Sequence, residues 1–259
     1  RSGESAAAAE AIAGQYNAVS SSPPGLALAL ADRLDSLAGL FAAGLAPKGS
    51  NDPFALRRAA LHLIENLVAH RQPFDLRAAF AAAAELLPVP CDDAVLTEVM
   101  KFVNGRLEGV LRDLGYSAFV VKAVLAELDY DPFTASRVAA ALSDAIAAPD
   151  WPELLDAYAR CVRITRNQSE TFALDPEAFA LPAEKQLLAA YQQAAAGQDG
   201  TMPTFIATLR DLKPAITQFF DDVLVMDENT AVRQNRLALL QHIAGLTDGL
   251  ADLSELEGF

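Results

Sequence analysis

FFDDVLVMDENTAVRQNRLALL, Phe219–Leu240, reads as the end of one helix, a polar turn and the start of another. Phe219, Phe220, Val223 and Leu224, with Ile216 before them, sit at helical spacing and should lock the first of these helices into a core. Pro214 is the expected start of that helix. Asp227, Glu228, Asn229 and Thr230 turn the chain and offer caps to the next one. Val232, Leu239, Ile243, Leu246, Leu250 and Leu253 then form the buried side of a last long helix.

Working outward, the same alternation of apolar stripe and breaker recurs. Trp151-Pro152-Glu153 opens a helix containing LLDAYARCVRITR, and Gly197 to Pro203 marks a loop. Ser117 caps AFVVKAVLAELDY, whose Val120, Val121, Val124, Leu125 and Leu128 form one stripe, and Pro132 begins the next segment. Ser21-Ser22-Pro23-Pro24-Gly25 breaks the chain before the apolar run LALALADRLDSLAGLFAAGLA. In Asp52-Pro53 the aspartate can cap and the proline can take the first helical position, with Leu56, Ala60, Leu63, Ile64 and Leu67 following as a core face. Leu86 to Asp93 is a candidate linker. No fixed-period repeat is present.

Composition agrees with an all-α, multi-helix chain. Of the 259 residues 52% are hydrophobic, with alanine a large part of that share, while aromatics make up only 7%. Alanine favours helices, and strands want the β-branched and aromatic residues that are scarce here. No apolar stretch approaches the ~20 residues needed to cross a bilayer, and no signal peptide opens the chain, so a soluble, cytoplasmic protein without a membrane partner is expected. Cys91 and Cys161 lie far apart with no metal-type or redox-type neighbour and should be reduced, partly buried thiols. The chain enters abruptly at Arg1 in what already reads as a helix, as a piece of a longer polypeptide would. The 20 basic and 34 acidic residues give a net charge of −14, which argues against a general phosphate-binding surface and leaves room only for a local basic cluster.

Two such clusters stand out. Arg160, Arg163 and Arg166 are three apart on one helix and can grip successive phosphates, or form a solvated face paired with Asp156 and Glu170. Arg233, Asn235 and Arg236 can hydrogen-bond unstacked bases, or brace neighbouring helices. Asp221-Asp222 favours a structural ion pair with Arg233 or Arg236 over metal or acid–base work, because adjacent helical residues point about 100° apart. Asp32 and Asp35 share a helix face, but His62, His70 and His242 show no ligand spacing with them, so no metal site is expected. Lys48-Gly49-Ser50 lacks the order of a P-loop. No nucleophile motif or dinucleotide fingerprint is present, and no catalytic residue is assigned.

Four segments, taken in order, resemble the β subunit of the bacterial α2β2 glycyl-tRNA synthetase: LALADRLDSLAGLFAAGLAPKGSNDPFALRRAAL (Leu28–Leu61), GYSAFVVKAVLAE (Gly115–Glu127), ITQFFDDVLVMDENTAVRQNRLALL (Ile216–Leu240) and LADLSEL (Leu250–Leu256). The resemblance implies the end of an HD-like helical domain over residues 1–75, a helical body over 76–149 and an anticodon-binding-type bundle over 150–259. It implies tRNA(Gly) and the synthetase α subunit as partners and no DNA. ATP and Mg would act in the α subunit, and no cofactor in this piece. Asp32 or Asp35 falls where HD hydrolases keep their last metal-binding aspartate, without the preceding His and His-Asp elements. Where many relatives carry a Lys-Arg-Val-x-Asn-Ile type run, this chain has Arg160-Cys161-Val162-Arg163-Ile164-Thr165, basic in character with shifted positions. A structural or subunit-assembly module without direct tRNA contact is the alternative to a tRNA-binding role.

Overall fold

The computed structural model describes residue 3 and residues 5–259, and among them it contains eleven α-helices and no strand. The all-α expectation holds. The chain divides into two compact units, the first comprising residues up to Tyr116 together with Leu128–Arg137, the second Ser117–Glu127 and Val138–Phe259.

In the first unit, α1 (Ala6–Ala13) is followed by α2 (Pro23–Ala42), which packs against α1, α3 (Leu56–Ala69), α4 (Leu76–Glu85) and α5 (Asp93–Asp113). Ser22 caps α2 through its hydroxyl, and prolines occupy the first turn, where their missing N–H is harmless. Leu37, Ala38, Leu63, Ile64, Leu67, Phe80 and Leu107 are fully buried, each larger side chain contributing roughly 1.5–3 kcal/mol. Phe41 meets Phe102 edge to face at 5.2 Å. α3 opens at Leu56, three residues later than Asp52-Pro53 suggests, because Ala55 turns the chain with a left-handed backbone (φ 54°). Asp52 still caps it, accepting from the N–H groups of Leu56 and Arg57 at 2.8 and 3.0 Å. The candidate linker Leu86 to Asp93 is a loop inside this unit that ends where α5 begins at Asp93. The polar tie is Asn66, fully buried, which accepts from Ser20 N and donates to Ala18 O and His62 O.

α6 (Ala118–Leu128) and α7 (Pro132–Ile146) follow, with Ser117 capping α6 at Val120 N as its sequence suggests. In the second unit α8 (Trp151–Thr165) packs on α10 (Met202–Asp222) and α11 (Thr230–Ala244), and α9 (Pro182–Ala196) on α10. Pro214 lies inside α10 rather than at its start. The position is exposed, so the carbonyl deprived of its intrahelical partner can meet water. Phe219 and Val223 are buried as their spacing implies, but Leu224 is 73% exposed. The helix ends at Asp222, and in the extended segment that follows side chains alternate between Val223 and Val225 inside and Leu224 and Met226 outside. Asn229 caps α11, accepting from the N–H groups of Ala231 and Val232.

Tyr158 closes the end of this bundle. Its hydroxyl donates to Ala244 O at 2.6 Å and lies 2.8 Å from Thr247 Oγ1, and burial pushes its pKa upward. Tyr158→Phe is expected to cost about 1–2 kcal/mol in urea denaturation, since it leaves buried acceptors short of a donor. An unchanged midpoint would show that the bond contributes nothing net.

Candidate functional site

α8 presents two faces. Leu154, Leu155, Tyr158 and Cys161 are buried, and burial pushes the Cys161 thiol up to about 12, so it is an inert core group. Asp156, Arg163 and Arg166 are exposed and Arg160 half-buried. The Arg160 guanidinium lies over the Phe220 ring at 4.4 Å, and that of Arg163 lies over Phe259 at 5.5 Å. Phe220 is held edge to face by Phe219 (5.6 Å), and Phe259 by Tyr158 (6.4 Å). A ring face orients a guanidinium plane without using its N–H groups, which stay available to an acceptor. Among the described residues the one carboxylate within ion-pair distance of these two arginines is Asp156, 3.8 Å from Arg163, beyond hydrogen-bond reach and in solvent. Arg166 follows the last residue of α8, at its C-cap.

The second sequence cluster is divided by the structure. Asn235 and Arg236 are 7% and 6% exposed. Asn235 accepts from Asp175 N at 2.7 Å and donates to Asp175 O at 2.9 Å, tying α11 to the α8–α9 connection. Arg236 Nε donates to Glu184 at 2.5 Å, and its Nη1 donates to Asp227 and to Leu224 O at 2.8 and 2.9 Å. Glu184, 2% exposed, also accepts from Ala180 N and Leu181 N. Both side chains therefore spend their polar groups inside the bundle, and base-edge contact from them would require breaking it. Arg233 is intermediate. It is half-buried and donates to Asp227 O and Thr230 Oγ1.

The ion-pair partner is also not the one its sequence suggests. Asp222 engages Gln218, whereas Arg236 takes Asp227, whose carboxyl is held below its usual range by Asn229 N–H and by Arg236 itself. Sequence reading missed Phe220 and Phe259 as ring supports. Phe220 looked like core, and Phe259 gave no signal because its neighbours come from α8. Among the described residues no group of three or more His, Cys, Asp or Glu side chains is placed to hold a metal, and no helix is long and apolar enough to cross a membrane.

A family model described as glycyl-tRNA synthetase beta subunit matches residues 1–126, and one described as DALR anticodon binding domain matches residues 154–253. The second range contains α9, α10 and α11 and all but the first turn of α8. The glycine–tRNA ligase beta subunit of Desulforudis audaxviator is 36% identical over 98% of this chain and 39% of its own length. That of Myxococcus xanthus is 34% identical over the same shares. The chloroplastic/mitochondrial glycine–tRNA ligase 2 of Arabidopsis thaliana is 37% identical over 91% of this chain and 22% of its own length. The chain spans about two fifths of the bacterial relatives and about a fifth of the plant one.

Proposed function

Because the chain belongs to the glycyl-tRNA synthetase beta subunit family, we propose that its second unit binds tRNA(Gly) on the anticodon side. In that role it positions the tRNA for ATP-dependent glycylation at the active site of a partner α subunit, in the cytoplasm. ATP and Mg would act at that partner's site, and this chain supplies the grip.

The observation that carries the reading is the coincidence of the anticodon-binding match with the α8 face, where Arg160 and Arg163 rest on rings and, among the described residues, their one ion pair is that of Arg163 with exposed Asp156 at 3.8 Å. The net charge of −14 makes this a confined contact, since the rest of the surface repels phosphate. Arg166 extends the face by one turn and Arg233 adds to it only by leaving its bonds to Asp227 and Thr230. Asn235 and Arg236 serve by shaping the bundle. That part of the second cluster acts as the structural reading requires; in the α8 cluster Arg163 also has the partner which that reading names, Asp156 at 3.8 Å, but in solvent.

The test is tRNA(Gly) binding by the complete β subunit and its complex at low and moderate salt. Affinity should fall steeply as salt rises, with a slope set by a few phosphate contacts. A salt-independent affinity, or none, with subunit assembly impaired by removing residues 150–259, would favour an assembly module instead.

A further inference from the structure

We propose that the cleft between α2 and α3 in the first unit binds a phosphate group, held by the guanidinium groups of Arg33 and Arg58 beside the His62 imidazole. The cleft measures about 460 Å³ and is also lined by Asp32, Ser36 and Ala55. All of it is built from residues before α4, so it does not rest on the anticodon-side reading.

Arg33 is the primary observation. It is 4% exposed, yet among the described residues no carboxylate lies within ion-pair distance of it. Its donors go to the carbonyls of Ala29 (2.9 Å), Asn17 (3.1 Å) and Gln15 (3.4 Å). Carbonyls satisfy hydrogen bonds but leave the charge uncompensated, and a buried charge is normally paired. The neighbouring Asp32 is exposed and only partly offsets it.

A second cation faces the same space. Arg58 is exposed, with no carboxylate partner among the described residues, whereas its neighbour Arg57 is committed to Asp52 and to Gly49 O. His62 lines the same cleft, and its pKa is lowered by burial first, then by Arg33 and Arg58, against Glu65 of its own helix. A neutral imidazole beside two guanidiniums can donate one N–H to an anion without adding to the repulsion. Ala55, at the rim, holds a left-handed backbone that costs a non-glycine residue of order 1 kcal/mol and that the chain keeps only where surroundings demand it. Two guanidiniums against one aspartate leave a local excess of one positive charge in a strongly acidic chain.

The experiment follows His62, His70 and His242, the three histidines of the chain, by NMR in inorganic phosphate and in chloride of equal ionic strength. An anion in the cleft favours the charged imidazole, so phosphate should raise the His62 pKa while the His70 and His242 titrations do not respond. Arg58→Ala should weaken phosphate binding about tenfold, the loss of one charge-assisted contact. Arg33→Gln should do the same, and if it unfolds the unit, the exposed Arg58 carries the test alone. Two further probes separate the sources of the phosphate. A response to AMP but not to an oligoribonucleotide lacking terminal phosphates assigns a free monoester, and the reverse assigns an RNA backbone. An identical His62 titration in phosphate and chloride, or equal phosphate affinity in Arg58→Ala and the parent, overturns the proposal.

Discussion

Arg236→Ala is expected to destabilise the second unit by about 3–5 kcal/mol, because it leaves a carboxylate stranded in the core. Glu184 is 2% exposed and would keep only the N–H groups of Ala180 and Leu181. The same change frees Leu224 O and removes one of the contacts on Asp227 that fix the turn between α10 and α11. Thermal unfolding of the variant should begin roughly 10 °C or more below the parent for a unit of this size. The double variant Arg236→Met with Glu184→Met should recover most of the loss, since a well-packed apolar pair can replace a buried ion pair. If the single variant melts within 1 °C of the parent, the network is not structural. Measured below its melting point, Arg236→Ala should also leave the salt dependence of tRNA binding unchanged, because the Nε and Nη1 donors of this arginine are spent on Glu184, Asp227 and Leu224 O.

This network shows what a sequence hides. Arg233 and Arg236 are three apart in the first two turns of α11, and spacing places both on one side of the helix. What separates them is the partner, Glu184, 52 residues away. That glutamate has a local signature of its own, the third helical position of α9 with Pro182 as the first, which reads as a cap and nothing more. Its second oxygen is what captures Arg236. Long-range pairing of this kind has no periodicity, whereas the helices themselves do. The stripe Val120, Val121, Val124 and Leu128 and the caps Ser117 and Asn229 could be read because each depends on residues within one or two turns.

Where local signals competed, packing decided. Proline usually opens a helix, but the apolar positions Phe205, Leu209, Leu212, Ile216 and Phe219 continue across Pro214 on one buried face. The burial of that face outweighs the roughly 3 kcal/mol that an interior proline costs. Leu224 reads as core by spacing, yet the helical period stops at Asp222 and a two-residue period takes over, which turns it outward. In the first unit Asp52 was legible as a cap, while the left-handed Ala55 was not, because nothing in Phe54-Ala55-Leu56 favours that conformation locally.

Arg160→Ala combined with Arg163→Ala should weaken tRNA(Gly) binding by the complete enzyme on the order of 100-fold at moderate salt. Each arginine, if it meets one phosphate, contributes about one charge-assisted contact, worth roughly a factor of ten. Removing two phosphate contacts should also lower the slope of log affinity against log salt by about 2, the signature that separates lost contact from lost folding. Stability should change little. The guanidiniums lie over Phe220 and Phe259 at the surface, and exposed contacts of this type are worth about 0.5–1 kcal/mol each. Lysine at both positions keeps the charge but loses the flat face that the ring orients, so Arg→Lys should recover the salt slope more fully than the affinity. Arg233→Ala is the internal comparison, since its donors are already engaged by Asp227 and Thr230. It should cost less than either α8 substitution. If the double variant binds and charges tRNA(Gly) with the parent's affinity and slope, the α8 face is not the contact. The tRNA-binding role would then have to be carried by another surface of the family's fold.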